Sequence, residues 1–144
     1  MAEDKEGFTI EMERLEDYRF RAKFDKGSMG EIITDESEMA GGDETGPDPS
    51  RLLATSSLNC LMASLLFCLK KKRVDIDSLE GKVTGTIERV DDRLRVTKLD
   101  VEITPDIDEE DEKKLEKCKE IFEDYCVVTQ SIRNGIDVDV DVEV

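Results

Sequence analysis

The chain has 144 residues, 38% of them apolar and none tryptophan, which is room for one domain, residues 1–144, with a modest aliphatic core. Its 37 acidic and 21 basic residues leave a net charge of −16, a field that repels phosphate backbones and anionic lipid and argues against nucleic acid or a membrane as partner. There is no histidine, which excludes Ser-His-Asp and Cys-His catalysis and His-ligated zinc, and nothing in the composition calls for a cofactor.

Met1-Ala2-Glu3-Asp4-Lys5 is acidic and carries no apolar run, so no secretory leader is expected and the expected setting is cytoplasmic. Phe8, Ile10 and Met12 alternate with polar residues, as do Tyr18, Phe20, Ala22 and Phe24; both segments read as strands with one buried face. Asp25-Lys26-Gly27-Ser28 is turn chemistry, and residues 29–34 read as a third strand. Residues 35–48 are rich in glycine and acids and form a loop long enough to border a site. Asp48 is a good N-cap and Pro49 suits the first helical position, so a helix of roughly 34 Å should run from there to about Lys71. Residues 52–69 are apolar enough to raise the question of a membrane span. Thr55, Ser56, Ser57, Asn59 and Ser64 interrupt them, and a buried central helix is the better reading. Lys70-Lys71-Lys72-Arg73 then complements the negative end of the helix dipole.

Residues 82–90 and 94–103 form the next two strands around an Asp91-Asp92 turn. The inward phase slips between Val96 and Leu99, which predicts a bulge near Thr97-Lys98. A second helix is expected after Pro105, with Leu115, Cys118, Phe122 and Tyr125 as its apolar stripe and its end near Cys126. Ile136, Val138, Val140, Val142 and Val144 alternate with acids and predict a closing strand. Asp137, Asp139 and Asp141 copy the opening of a calcium loop without its glycine or distal glutamate, and read as acids guarding a strand edge. The order βββ-α-ββ-α, then strand, makes an α+β domain of sheets packed on two helices.

The four cysteines stand at 60, 68, 118 and 126, without a Cys-x-x-Cys, and zinc would need all four as thiolates. Cys68 is turned about 80° from Cys60 around the first helix and sits among Leu61, Leu65 and Leu69. Cys118 lies in the second apolar stripe, and both read as buried small hydrophobes. Cys60 shares a face with Ser56, Ser57 and Ser64, a stripe that suits a pocket lining and close helix packing equally well. It lies too far from the helix N-terminus for the dipole to help, and an ordinary thiol is only about 3% thiolate at pH 7. A nucleophilic Cys60 therefore needs a cation, for which Arg19 and Arg21 on the second strand are the candidates, Arg21 ahead of Arg19. Cys126 follows Tyr125 at an expected helix end, where negative potential should raise its pKa and suit it to a resolving or leaving role.

The run Asp35, Gly41-Gly42, Gly46-Pro47-x-Pro49, Leu52-Leu53, Leu58-x-Cys60 and Leu69-Lys70-Lys71-Lys72-Arg73, with Tyr125-Cys126-Val127 further on, resembles the OsmC-like branch of the OsmC/Ohr superfamily from about Tyr18 to Val144. The resemblance implies antiparallel sheets wrapped around two long central helices in an intertwined homodimer, with active sites at the interface. It also implies a thiol-dependent peroxidase cycle acting on organic hydroperoxides. Cys60 would become a sulfenic acid, Cys126 would condense with it to a disulfide, and a dithiol reductant would reopen the bond, while Cys68 and Cys118 stay reduced. A Cys68–Cys118 bridge would contradict that pairing. Better-defined members carry a glutamate ten residues before the first cysteine, holding an arginine. Here Ser50 stands there, with Asp48 or Glu44 as substitutes, and the arginine position falls near Ala40 or near Arg19. The alternative function is a non-peroxidase relative, a redox sensor or small-ligand-binding protein.

Overall fold

The structure is a computed structural model and describes residues 5–144, so most of the segment read as leaderless, residues 1–4, lies outside it. The chain forms two compact units, Met1–Leu52 and Leu53–Val144.

In the first unit β1 (Glu11–Glu16), β2 (Arg19–Lys23) and β3 (Glu31–Thr34) pair antiparallel in that order. Asp17 adopts φ 52 in the return between β1 and β2, and Met12 comes to face Ala22 across the ladder. The ladder is shorter than the alternation predicted. Phe8 and Ile10 precede β1, and Met29 belongs to a 3-10 turn closed by Gly30 at φ 72. Residues 35–48 are tied to one buried carboxylate. Asp35 Oδ2 accepts the Thr45 hydroxyl at 2.7 Å and the N–H groups of Thr45 and Asp43 at 3.1 and 3.3 Å, while Oδ1 accepts the Glu36 N–H at 2.7 Å. Gly42 closes against this hub: a Cβ there would lie 2.2 Å from the Glu36 carbonyl oxygen, so only glycine fits.

The helix α1 (Pro49–Lys71) has the predicted ends. Asp48 caps it, accepting the Arg51 N–H at 2.9 Å. At the other end Arg73 takes φ 60 and the Val74 N–H reaches back to the Leu69 carbonyl at 2.9 Å. By length and composition α1 could cross a membrane. In the second unit its Leu65 and Leu69 instead join Val74 and Cys118 in the core, where each buried leucine contributes about 1.5–3 kcal/mol.

Against α1 lies a long hairpin, β4 (Ser78–Val90) and β5 (Arg93–Asp106), turned by Asp91 and Asp92 at φ 49 and 65. Thr86 pairs with Lys98 and Ile87 with Val96, so Thr97 is the extra residue and the bulge falls where the phase slip predicted. It puts Val96 and Leu99 on one half-buried face. Gly81 lets the hairpin approach the helix, since a Cβ there would meet Met62 Sδ at 2.6 Å and Leu58 Cδ1 at 2.9 Å. Pro105 pairs with Leu79 inside β5 rather than heading a helix.

The C-terminal third departs most from expectation. In place of one long second helix there is α2 (Glu112–Ile121), a 3-10 turn (Phe122–Tyr125), an extended Cys126 at ψ 102, and α3 (Val127–Asn134). The tight turn breaks the helical ladder, and the bond from the Gln130 N–H to the Cys126 carbonyl, at 3.0 Å, restarts it. Residues 136–144 join no ladder, and Ile136, Val138, Val140, Val142 and Val144 are all exposed. Their alternation holds, but among the described residues they pair with no strand.

Candidate redox site

Two rungs connect α1 to α3. The first is a buried hydrogen bond between the hydroxyls of Ser57 and Thr129, 2.8 Å apart. The second is a contact between Cys60, one turn beyond Ser57, and Cys126, one turn before Thr129. Both cysteines are free, Cys60 half-buried and Cys126 fully buried. Burial raises the pKa of Cys60, and the adjacent Cys126 sulfur raises it further. Burial also works against Cys126 ionisation. It is outweighed by hydrogen bonding from the Cys60 thiol and the Thr129 hydroxyl, then from the N–H groups of Thr129 and Val128, so Cys126 falls below the ordinary thiol value. None of these is a formal capping bond; several donors converging on one sulfur at a helix start act together. The expectation of a raised Cys126 pKa is therefore wrong, and the cause is α3. The residue opens a helix instead of ending one.

The pairing expectation also needs correction. Cys68 and Cys118 are joined by a disulfide, Cα–Cα 5.8 Å, where α1 and α2 meet in the core. Both lie among apolar side chains as expected, Cys118 fully buried and Cys68 only partly, and packing against one cluster brings the two sulfurs together. With two thiols bonded to each other, the four-thiolate zinc site is not available either. Among the described residues one acidic group, exposed Asp108 and Glu110 with half-buried Asp111, holds three ligand atoms within 4.8 Å, with Lys114 already 3.8 Å from Asp111.

Arg19 and Arg21 belong to the first unit and have carboxylate partners there: Glu16 for Arg19, and Glu13 at 2.8 Å and Glu31 at 3.5 Å for Arg21. Asp48 binds the Arg51 guanidinium at 3.1 Å and Glu44 accepts the Glu38 N–H at 3.0 Å, so both suggested substitutes for the missing glutamate are engaged locally. Of the serine stripe, Ser56 turns back to the Leu53 carbonyl at 2.8 Å, while Ser57 serves both packing and lining. A cavity of about 640 Å³ opens beside the hydroxyl rung, with Ser57 and Thr129 in its wall, Leu61, Leu65 and Val101 among its apolar surfaces, and Lys98, Lys119, Glu123 and Arg133 as its charged ones. The Thr129 contribution and the α3 donors were missed from sequence. The available signal was Cys126-x-x-Thr129 opening eight residues closed by Gly135 at φ 74.

Antiparallel sheets and helices carrying an adjacent dithiol define a class of α+β thiol protein. Residues 41–141 match the family model described as OsmC-like protein, and the chain belongs to that family. Among solved structures, a Psychrobacter arcticus protein provisionally described as an osmotic stress induced and detoxification response protein is 26% identical, with TM-score 0.70 over 89% of this chain and 90% of that one. An OsmC-like protein of unknown function from Vibrio cholerae gives TM-score 0.72 at 16% identity, covering 88% and 94%. An organic hydroperoxide resistance protein OsmC from Legionella pneumophila gives 0.60 at 14%, covering 92% and 95%. No curated protein matches the chain.

Proposed function

We propose that the chain is a thiol-dependent organic hydroperoxide reductase, cytoplasmic and homodimeric, its two units forming one domain. The meeting of free Cys60 and Cys126 on α1 and α3 carries this reading. Cys60 sulfur attacks a peroxide oxygen, the O–O bond breaks, the alkoxide leaves and is protonated, and Cys60 becomes a sulfenic acid. Cys126 sulfur then attacks Cys60 sulfur and hydroxide leaves. A dithiol reductant reduces the resulting disulfide and is itself oxidised. The Cys68–Cys118 bond counts against Cys60–Cys126 as the chain's only disulfide-forming pair. It leaves them as the pair still able to cycle. Arg21, with Arg19 second, is the proposed cation beside Cys60. A dimer is supported by exposed Leu53 and Phe67 on α1 and by the unpaired residues 136–144.

The test is consumption of an organic hydroperoxide by reduced protein with excess dithiol. Turnover abolished by Cys60→Ser and raised by Ser50→Glu is expected, since a carboxylate holds a guanidinium roughly twice as strongly as a hydroxyl does. Wild-type and Ser50→Glu proteins both at background would sink the peroxidase. The sensor or ligand-binding reading, favoured by Ser50 and the cavity, would then replace it.

A further inference from the structure

The bonded cysteines stand in register with the free ones. Cys60 precedes Cys68 on α1 by the same eight residues that separate Cys118 from Cys126, so the free pair and the disulfide are rungs of one antiparallel arrangement. The Ser57–Thr129 hydrogen bond continues the series on the far side of Cys126. Along α1 the two cysteine rungs are about 12 Å apart, too far for direct exchange between them. What joins them is the stretch that carries Cys126. The Glu123 carbonyl accepts the Cys126 N–H at 3.1 Å and the Gln130 side-chain amide at 3.0 Å, and the Glu123 carboxylate accepts Arg133 at 2.7 Å. These bonds make one piece of the 3-10 turn, Cys126 and α3. Among the described residues, and besides the contacts of Cys60, the bonds from α1 to α2 and this piece are the hydroxyl rung and the disulfide. α2 is a weak element by itself. It has ten residues, of which Cys118 is the fully buried one, and a helix that short is marginal in water without packing.

We propose that the Cys68–Cys118 disulfide is a redox latch on the free pair. Closed, it docks α2 on α1 and holds Cys126 against Cys60. Open, it lets α2 loosen and lowers the effective concentration of Cys126 at the Cys60 sulfur. The regulation of turnover rests on the proposed peroxidase cycle; the coupling between the two bonds does not. In the cytoplasmic setting of that proposal a disulfide is ordinarily transient, which suits a latch better than a permanent staple. Cys68 is partly exposed and Cys118 fully buried, so exchange begins at Cys68. In opening, a thiolate of a dithiol attacks the Cys68 sulfur, the protein S–S bond breaks, and Cys118 leaves and is protonated. The second thiolate then attacks the reductant sulfur of the mixed disulfide. Cys68 leaves as a thiol, and the reductant departs as a cyclic disulfide. Closing runs the same steps backwards, with a small-molecule disulfide as the oxidant.

The experiment equilibrates the full chain in graded mixtures of dithiothreitol and its cyclic disulfide, then applies acid quenching, alkylation and peptide mapping. Chains are counted with both bonds, with neither, and with each bond alone. The product of the first two populations over the product of the last two is unity for independent bonds. The latch makes it about ten, at the low end of ordinary coupling between sites. Cys68→Ala leaves Cys118 in the core, and its Cys60–Cys126 bond should need about tenfold more oxidised buffer than in wild-type chains with the latch closed. Amides from Glu112 to Cys126 should exchange with deuterium about tenfold faster in that variant. A ratio of unity or below overturns the proposal, as does unchanged exchange in a folded Cys68→Ala protein. Faster exchange with an unshifted Cys60–Cys126 bond overturns it too, because the disulfide is then only a staple. The ratio needs no variant, so a Cys68→Ala chain that does not fold leaves the test standing. No hydroperoxide enters these mixtures, so a ratio of about ten without peroxide turnover sinks the peroxidase reading alone.

Discussion

At the scale of single residues, Asp35 has the clearest consequence for pH. The Thr45 hydroxyl and N–H, then the Glu36 and Asp43 N–H groups, hold its carboxyl at about 2, below the usual 3.8, with burial opposing them. The folded state therefore binds this proton less readily than the unfolded chain does. The resulting stabilisation is complete above the unfolded value and is lost as pH falls from about 4 towards about 2. Asp35→Asn should lower the urea midpoint at neutral pH and flatten its fall through that window; an unchanged profile would refute the role. Asp35 and Gly41-Gly42 were visible in the sequence as part of a family pattern, but not as a hub, because bonds from a side chain to distant backbone N–H groups leave no periodicity. Ser57 was visible as a small residue on the Cys60 face. Thr129, its partner 72 positions away, was not.

At the scale of elements, legibility followed the strength of the local signal. Both ends of α1 could be read from Asp48-Pro49 and the basic run, and the bulge at Thr97 from the phase of the apolar residues. α3 could not, because Val127-Val128 favours strands and the acidic alternation that follows suggested more strand. Missing it reversed the direction expected for the Cys126 pKa. The disulfide between α1 and α2 escaped for a different reason: a buried cysteine looks the same in sequence whether bonded or free, and reducing compartments make bonding uncommon. With 50 residues of separation it should contribute about 4 kcal/mol by restricting the unfolded chain. Cys68→Ala or Cys118→Ala should therefore lower the unfolding free energy by about 2–4 kcal/mol in urea titrations without reductant. Dithiol should narrow the gap from wild type; equal stability in both conditions would mean the bond constrains nothing.

For the whole molecule, apolar surface is the controlling quantity. The chain alone exposes Phe8, Met39, Phe67 and the valines of residues 136–144, apolar side chains that a second copy would cover. We expect sedimentation to give a dimer at micromolar concentration, weakened when residues 136–144 are removed, because their exposed apolar alternation is then no longer there for a second copy to cover. A folded monomer of the full chain would contradict this.

The Cys68–Cys118 bond also makes a closed covalent ring with the whole of β4 and β5 inside it. Opening the chain at the exposed Asp91-Asp92 turn would not make two molecules. It would make one molecule with two additional termini, held through the core, whose pieces separate only after reduction. That tip is accordingly where a peptide could be spliced in, or a protease could cut, with the dithiol and its supporting hydroxyls still tethered to one scaffold.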